Sequence, residues 1–93
     1  MLVRDPHATV WKLHMAGQVT SAQIRAARGL LNWSVRDLSE RSGVHRNLIT
    51  NFETGNSGGD VRTMGRLVAA LEAGGVIFLP ENGEGPGVRL SKG

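Results

Sequence analysis

Arg46, Asn47, Thr50 and Asn51 are the residues whose type and spacing could do chemistry on a specific partner. They fall in a stretch of helical pattern, Arg46-Asn47-Leu48-Ile49-Thr50-Asn51-Phe52-Glu53, in which Ile49 and Phe52 stand at the i, i+3 spacing of a buried face. With those two inward, positions 46, 47, 50 and 51 turn away from the core. Arginine can fork onto guanine O6 and N7, and asparagine can pair with adenine N6 and N7, so this outer face carries side chains that read base edges. A solvated polar face is the alternative, but such faces are usually rich in Glu and Lys, and this one has no acid before Glu53. Leu48 reads as a core residue packed on Phe52 rather than a contact to a thymine methyl.

A reading helix has to be held at an angle by its neighbours, and the caps divide the chain accordingly. Thr20 or Ser21 opens a first helix with Gln23 behind it and an apolar stripe of Ile24, Ala27, Leu30 and Leu31; Asn32 ends it. Ser34 followed by Asp37 approximates a capping box for a second helix, with Trp33 placed to staple onto Leu38, and Gly43 closes that helix as a left-handed cap. Val44 then leads into the third helix, which stops at Gly55. Asn56-Ser57-Gly58-Gly59 reads as a loop, and Asp60 caps a fourth helix that buries Met64, Leu67, Val68 and Leu71 before Gly74-Gly75. Two short helices joined by one tight Gly turn are helix-turn-helix geometry.

The stretch from Trp33 to Gly55 resembles the Cro/phage-repressor (XRE-type) helix-turn-helix family, a resemblance that extends over about residues 20–73. The family pattern is a polar cap, a Glu/Asp-Leu-Ala core, a Gly-Val turn, a polar helix start, an Ile, and an apolar-Glu-x-Gly ending. The resemblance implies DNA contacts at His45, Arg46, Asn47, Thr50 and Asn51, with Ser34, Val35 and Arg36 at the start of the second helix. It also implies an ion pair between Arg28 and Glu53. Val35 stands where the family often has Gln, Ser39 where it has a core Ala, His45 where it has a Ser or Thr cap, and Leu48 where it has a small polar residue. His45 is open to three readings: cap, phosphate contact or solvated side chain. The tail resembles a subgroup with a C-terminal β extension.

Composition sets the outer bounds. Ninety-three residues make one domain, and zero cysteines exclude a disulfide scaffold, a thiol nucleophile and a Cys-based zinc site. The net charge is +3 and the basic side chains are arginine except for Lys12 and Lys92, which is compatible with a polyanion. His7, His14 and His45 lie far apart, with no carboxylate at ligand spacing, so no metal is expected. Gly83-Glu84-Gly85 lacks the following Lys-Ser/Thr of a phosphate loop, and no Ser-His-Asp set is visible. No enzyme, cofactor or membrane association is expected, and the cytoplasm is the default location.

The expected fold is mostly α, a small helix-turn-helix bundle of about four helices with a short C-terminal β extension. Residues 1–18 form an N-terminal extension, either a short strand over Ala8–Leu13 or a cloning remnant ahead of Met15; residues 19–74 form the helix-turn-helix domain; residues 75–93 form a β hairpin or tail. Val76, Ile77, Phe78 and Leu79 are too apolar for a monomer's exposed edge and are expected to pair across a two-fold axis. The functional expectation is a repressor that occupies double-stranded DNA as a homodimer. The alternative is a protein-interaction module on the same fold, an antitoxin or antiactivator that sequesters a protein partner.

Overall fold

Each of the four helices among the described residues starts on a side-chain cap. The structure, a computed structural model, describes residues 19–55, 60–81 and 83–92. The strand expected over Ala8–Leu13, His7, His14 and the loop at 56–59 lie outside them. Helix α1 runs Ser21–Leu31, α2 Val35–Ser42, α3 Arg46–Glu53 and α4 Val61–Ala73; strands β1, Val76–Leu79, and β2, Gly87–Leu90, follow. Thr20 Oγ1 accepts from Gln23 N–H at 3.1 Å while Thr20 N–H donates to Gln23 Oε1 at 2.9 Å, a complete capping box. Ser34 and Asp37 do the same for α2 at 3.0 and 2.9 Å. Asp60 Oδ1 accepts from Thr63 N–H at 2.7 Å to start α4. Asn32 at φ 58° ends α1 and Gly43 at φ 76° ends α2, the left-handed positions that Asn and Gly tolerate best.

These caps orient the apolar faces onto one core. Ile24 and Ala27 of α1, Leu38 of α2, Val44 of the turn, Ile49 and Phe52 of α3, and Met64, Leu67, Val68 and Leu71 of α4 are all buried. Full burial of a Leu or Ile side chain contributes about 1.5–3 kcal/mol, so Ile24, Leu38, Ile49, Leu67 and Leu71 are the main supports. Trp33 packs against the same cluster, and the Arg41 guanidinium lies 4.4 Å from its ring centroid. Leu30 departs from expectation and is exposed, because the inward arc of α1 centres on Gln23, Ile24 and Ala27 and leaves position 30 at its edge.

The tail forms the hairpin. β1 and β2 pair antiparallel, with Val76 opposite Leu90, Ile77 opposite Arg89, Phe78 opposite Val88 and Leu79 opposite Gly87. Val76 and Phe78 are only 2% exposed and belong to the chain's own core, while Ile77 and Leu79 alternate onto the outer face and are half-buried. Gln23, 5% exposed, ties the hairpin to α1: its Nε2 donates to Leu79 O at 3.4 Å and Gly87 O at 3.1 Å. The hairpin thus closes the helical core instead of trailing from it.

Candidate nucleic-acid interface

The turn between α2 and α3 is held by two serines. Ser39 Oγ donates to Val44 O at 2.6 Å, and Ser42 Oγ accepts from Val44 N–H at 3.1 Å. Buried Val44 plugs the space between the two helices, so the turn has an apolar anchor and satisfied backbone groups together. The hydroxyl of Ser39, where the family has a core Ala, therefore ties the end of α2 to the turn that leads into α3. The local pattern contains no signal for that bond, because donor and acceptor meet only once the turn has closed.

The far end of α3 is fixed from α1. Arg28 grips Glu53 with both arms of its fork, Nε to Oε2 and Nη2 to Oε1, each at 2.8 Å, and its Nη1 donates to Trp33 O at 2.9 Å. The Glu53 side chain is 6% exposed and that of Arg28 21%. The hydrogen bonds that Arg28 donates to Glu53 raise the Arg28 pKa, against a smaller opposing effect of burial, so the guanidinium keeps its charge. Arg25 Nη1 also donates to Glu53 O, covering a carbonyl at the helix C-terminus. Sequence reasoning missed Arg25, which lies one helical turn before Arg28 and so faces the same end of α3.

Between these two anchors α3 presents its outer side. Arg46, Asn47, Thr50 and Asn51 are all exposed, and no described residue forms a hydrogen bond or ion pair with their side chains. Asn47, Thr50 and Asn51 lie opposite the Ile49–Phe52 stripe, and Arg46 flanks them at the first turn. Glu53 is turned inward onto Arg28, so the outer face bears no acid. His45 caps α3: its Nδ1 accepts from Asn47 N–H at 3.0 Å. That bond assigns the ring proton to Nε2, which remains a donor on the exposed side.

Leu48 corrects the sequence reading. It is 50% exposed and does not join the core. A helix of eight residues buries a narrow arc here, Ile49, Phe52 and Glu53, and position 48 falls at the rim of that arc. At the start of α2, Ser34 and Arg36 are exposed and Val35 is half-buried against the core. Ser34 Oγ accepts from Asp37 N–H, and its hydroxyl also helps to hold down the Asp37 carboxyl, a contact that a phosphate would have to replace. Arg36 makes a 3.5 Å pair with Glu40, both side chains largely exposed, which contributes little and yields readily to a stronger anion. Arg62 and Arg66 of α4 are likewise exposed.

This arrangement is a pair of short helices about a Gly-Val turn, with the second helix clamped at both ends and its polar side outward. A family model described as helix-turn-helix matches residues 24–74, more than half of the chain. The chain belongs to the XRE-type helix-turn-helix family. It is a DNA-binding helix-turn-helix regulator at that level of description. No curated protein matches it. The matched region begins within α1 and ends just past α4, so it contains the Arg28–Glu53 clamp and stops short of the hairpin. Among the described residues no group of His, Asp or Glu could hold a metal ion, and no helix is long and apolar enough to cross a membrane.

Proposed function

We propose that the protein is a transcriptional repressor that occupies its operator as a homodimer, with α3 in the major groove. The observation that supports this best is the acid-free outer side of α3, where Arg46, Asn47 and Asn51 have no competing side-chain partners among the described residues. Arg46 reads guanine, and Asn47 or Asn51 reads adenine. Thr50 lies between them for a shorter contact. His45 through Nε2–H, the hydroxyl of Ser34 and the guanidinium of Arg36 hold flanking phosphates and set the register. With α3 only about 12 Å long by helix rise, its first turns are the part that reaches base edges in a groove about 12 Å wide. Occupancy alone represses by excluding polymerase, which requires no further domain.

Selection of bound duplexes from a random DNA pool tests this reading. A recovered motif with guanine and adenine at adjacent positions supports it, and failure to enrich any sequence overturns it. One observation favours the second reading, a protein-interaction module: half-exposed Leu48 on the rim of α3, with Val35 beside the start of α2. On that reading Leu48→Ser abolishes capture of a protein partner, whereas on the DNA reading Leu48→Ser leaves operator preference intact.

A further inference from the structure

One strand of the hairpin is guarded against joining another strand and the other is not. β2 carries Arg89 in its middle and Lys92 behind it, charges that discourage a further strand from adding to its edge. β1 reads Val76-Ile77-Phe78-Leu79, apolar throughout. Its register identifies the backbone groups that are free. Ser91 N–H donates to Gly75 O, so these two residues form a bonded pair. Antiparallel ladders alternate, so Ile77–Arg89 and Leu79–Gly87 are bonded pairs, while Val76–Leu90 and Phe78–Val88 are not. The N–H and C=O groups of Val76 and Phe78 therefore point to the outer edge of β1. No described residue bonds to them.

We infer that β1 pairs antiparallel with β1 of a second copy about a two-fold axis through Ile77, joining the two hairpins into one four-stranded sheet. This rests on the homodimer proposed above and specifies its surface. With the axis at Ile77, Val76 of each copy meets Phe78 of the other, and all the free edge groups find partners. A shift by two residues brings in Pro80, which has no N–H, or Gly74 at the end of α4. A shift by one residue sets core-facing positions against outward-facing ones. Charge agrees with the antiparallel arrangement. Each hairpin is acidic near its turn, at Glu81 and Glu84, and basic toward its open end, with Arg89 in the second half of β2 and Lys92 beyond it. Antiparallel hairpins lay the acidic turn of one copy alongside the basic end of the other. Ile77, half-buried in one copy, packs on its own counterpart, a self-complementary contact of the kind a two-fold axis requires.

Ile77→Cys tests the axis in a chain that has no other cysteine. Opposed residues of a non-hydrogen-bonded pair lie about 4.5 Å apart at Cα, within the range a disulfide spans. Mild oxidation is expected to convert most of the variant to a covalent dimer that still melts cooperatively. Leu79→Cys is the control: its two copies lie roughly 14 Å apart along the strands and stay unlinked. In the unmodified protein, light scattering should show a dimer, and exchange of the Val76 and Phe78 amides should slow at least tenfold as dimer replaces monomer. A dimer in which Ile77→Cys fails to link, Leu79→Cys links equally well, or those amides exchange at one rate throughout overturns the axis but leaves the operator-bound dimer standing. A concentration-independent monomer overturns both, and operator selection then still tests DNA reading by itself.

Discussion

The Arg28–Glu53 pair and Arg46 make opposite uses of the same side chain. Arg28 is committed inward, with its fork closed on a carboxylate and its third nitrogen on Trp33 O, while Arg46 has no partner among the described residues. Removing the Glu53 charge strands most of the Arg28 fork. Breaking a fully buried pair costs about 3–5 kcal/mol, and the residual exposure of Arg28 brings the expected loss for Glu53→Gln to about 2–3 kcal/mol. A melting curve checks this, and a loss of only a few tenths would show that the pair does not brace α3. Arg46→Ala should behave in reverse. Its melting temperature stays unchanged and its nonspecific affinity nearly so, while discrimination at the guanine position falls by about 1–3 kcal/mol. Uniform weakening on all sequences, with a shallower salt dependence, would assign Arg46 to phosphate instead. The outward positions were legible in the sequence because two apolar residues orient so short a helix. Leu48 was misread because hydrophobic type alone does not say where the buried arc ends.

At the scale of elements, the helix starts were legible and the ties between elements were not. Thr20, Ser34 and Asp60 each act on the residue three positions away, so their bonds are written in local sequence. Gln23 to the hairpin, Ser39 to the turn and Arg25 to the end of α3 join groups far apart in the chain or closed only by the fold, and polar side chains carry no periodic signature. The acidic caps confer a pH dependence. The carboxyl of Asp37 is held below its ordinary pKa mainly by the backbone N–H of Ser34, then by its hydroxyl; that of Asp60 mainly by the backbone N–H of Thr63, then by its hydroxyl. A depressed folded-state value means that the stabilisation is present above the unfolded-state value and is lost as pH falls through the folded one. The melting temperature should therefore hold down to about pH 5 and fall below about pH 4. Asp37→Asn combined with Asp60→Asn keeps acceptors at both caps but removes their titration, so the fall becomes shallower. An unchanged slope would place the acid sensitivity elsewhere.

For the whole molecule, the hairpin belongs to the core and, on the proposed axis, to the dimer as well, so a dimer cannot be probed by removing it. Deleting residues 75–93 looks from sequence like a clean route to a monomer, yet it strips Val76 and Phe78 from the core and the carbonyls from Gln23, so the truncated chain melts early. Ile77→Lys is gentler: the side chain is on the outer face, and like charges directly opposed across the axis oppose pairing. The folded chain measures 40 × 26 × 24 Å, so its shorter dimensions fit inside the 34–36 Å that separates half-sites on one face of DNA. Two copies joined at their hairpins should recognise an inverted repeat with half-sites about 10–10.5 base pairs apart, centre to centre. Inserting five base pairs between the half-sites turns one of them to the far side of the duplex. Affinity should then drop to that of a single half-site and partly recover when ten are inserted, as read by gel shift. Ile77→Lys should bind the intact and the lengthened operators alike, at the single half-site level and with the same base preference. If the unmodified protein is itself indifferent to spacing, each α3 is reading DNA alone and the two-fold has no part in recognition.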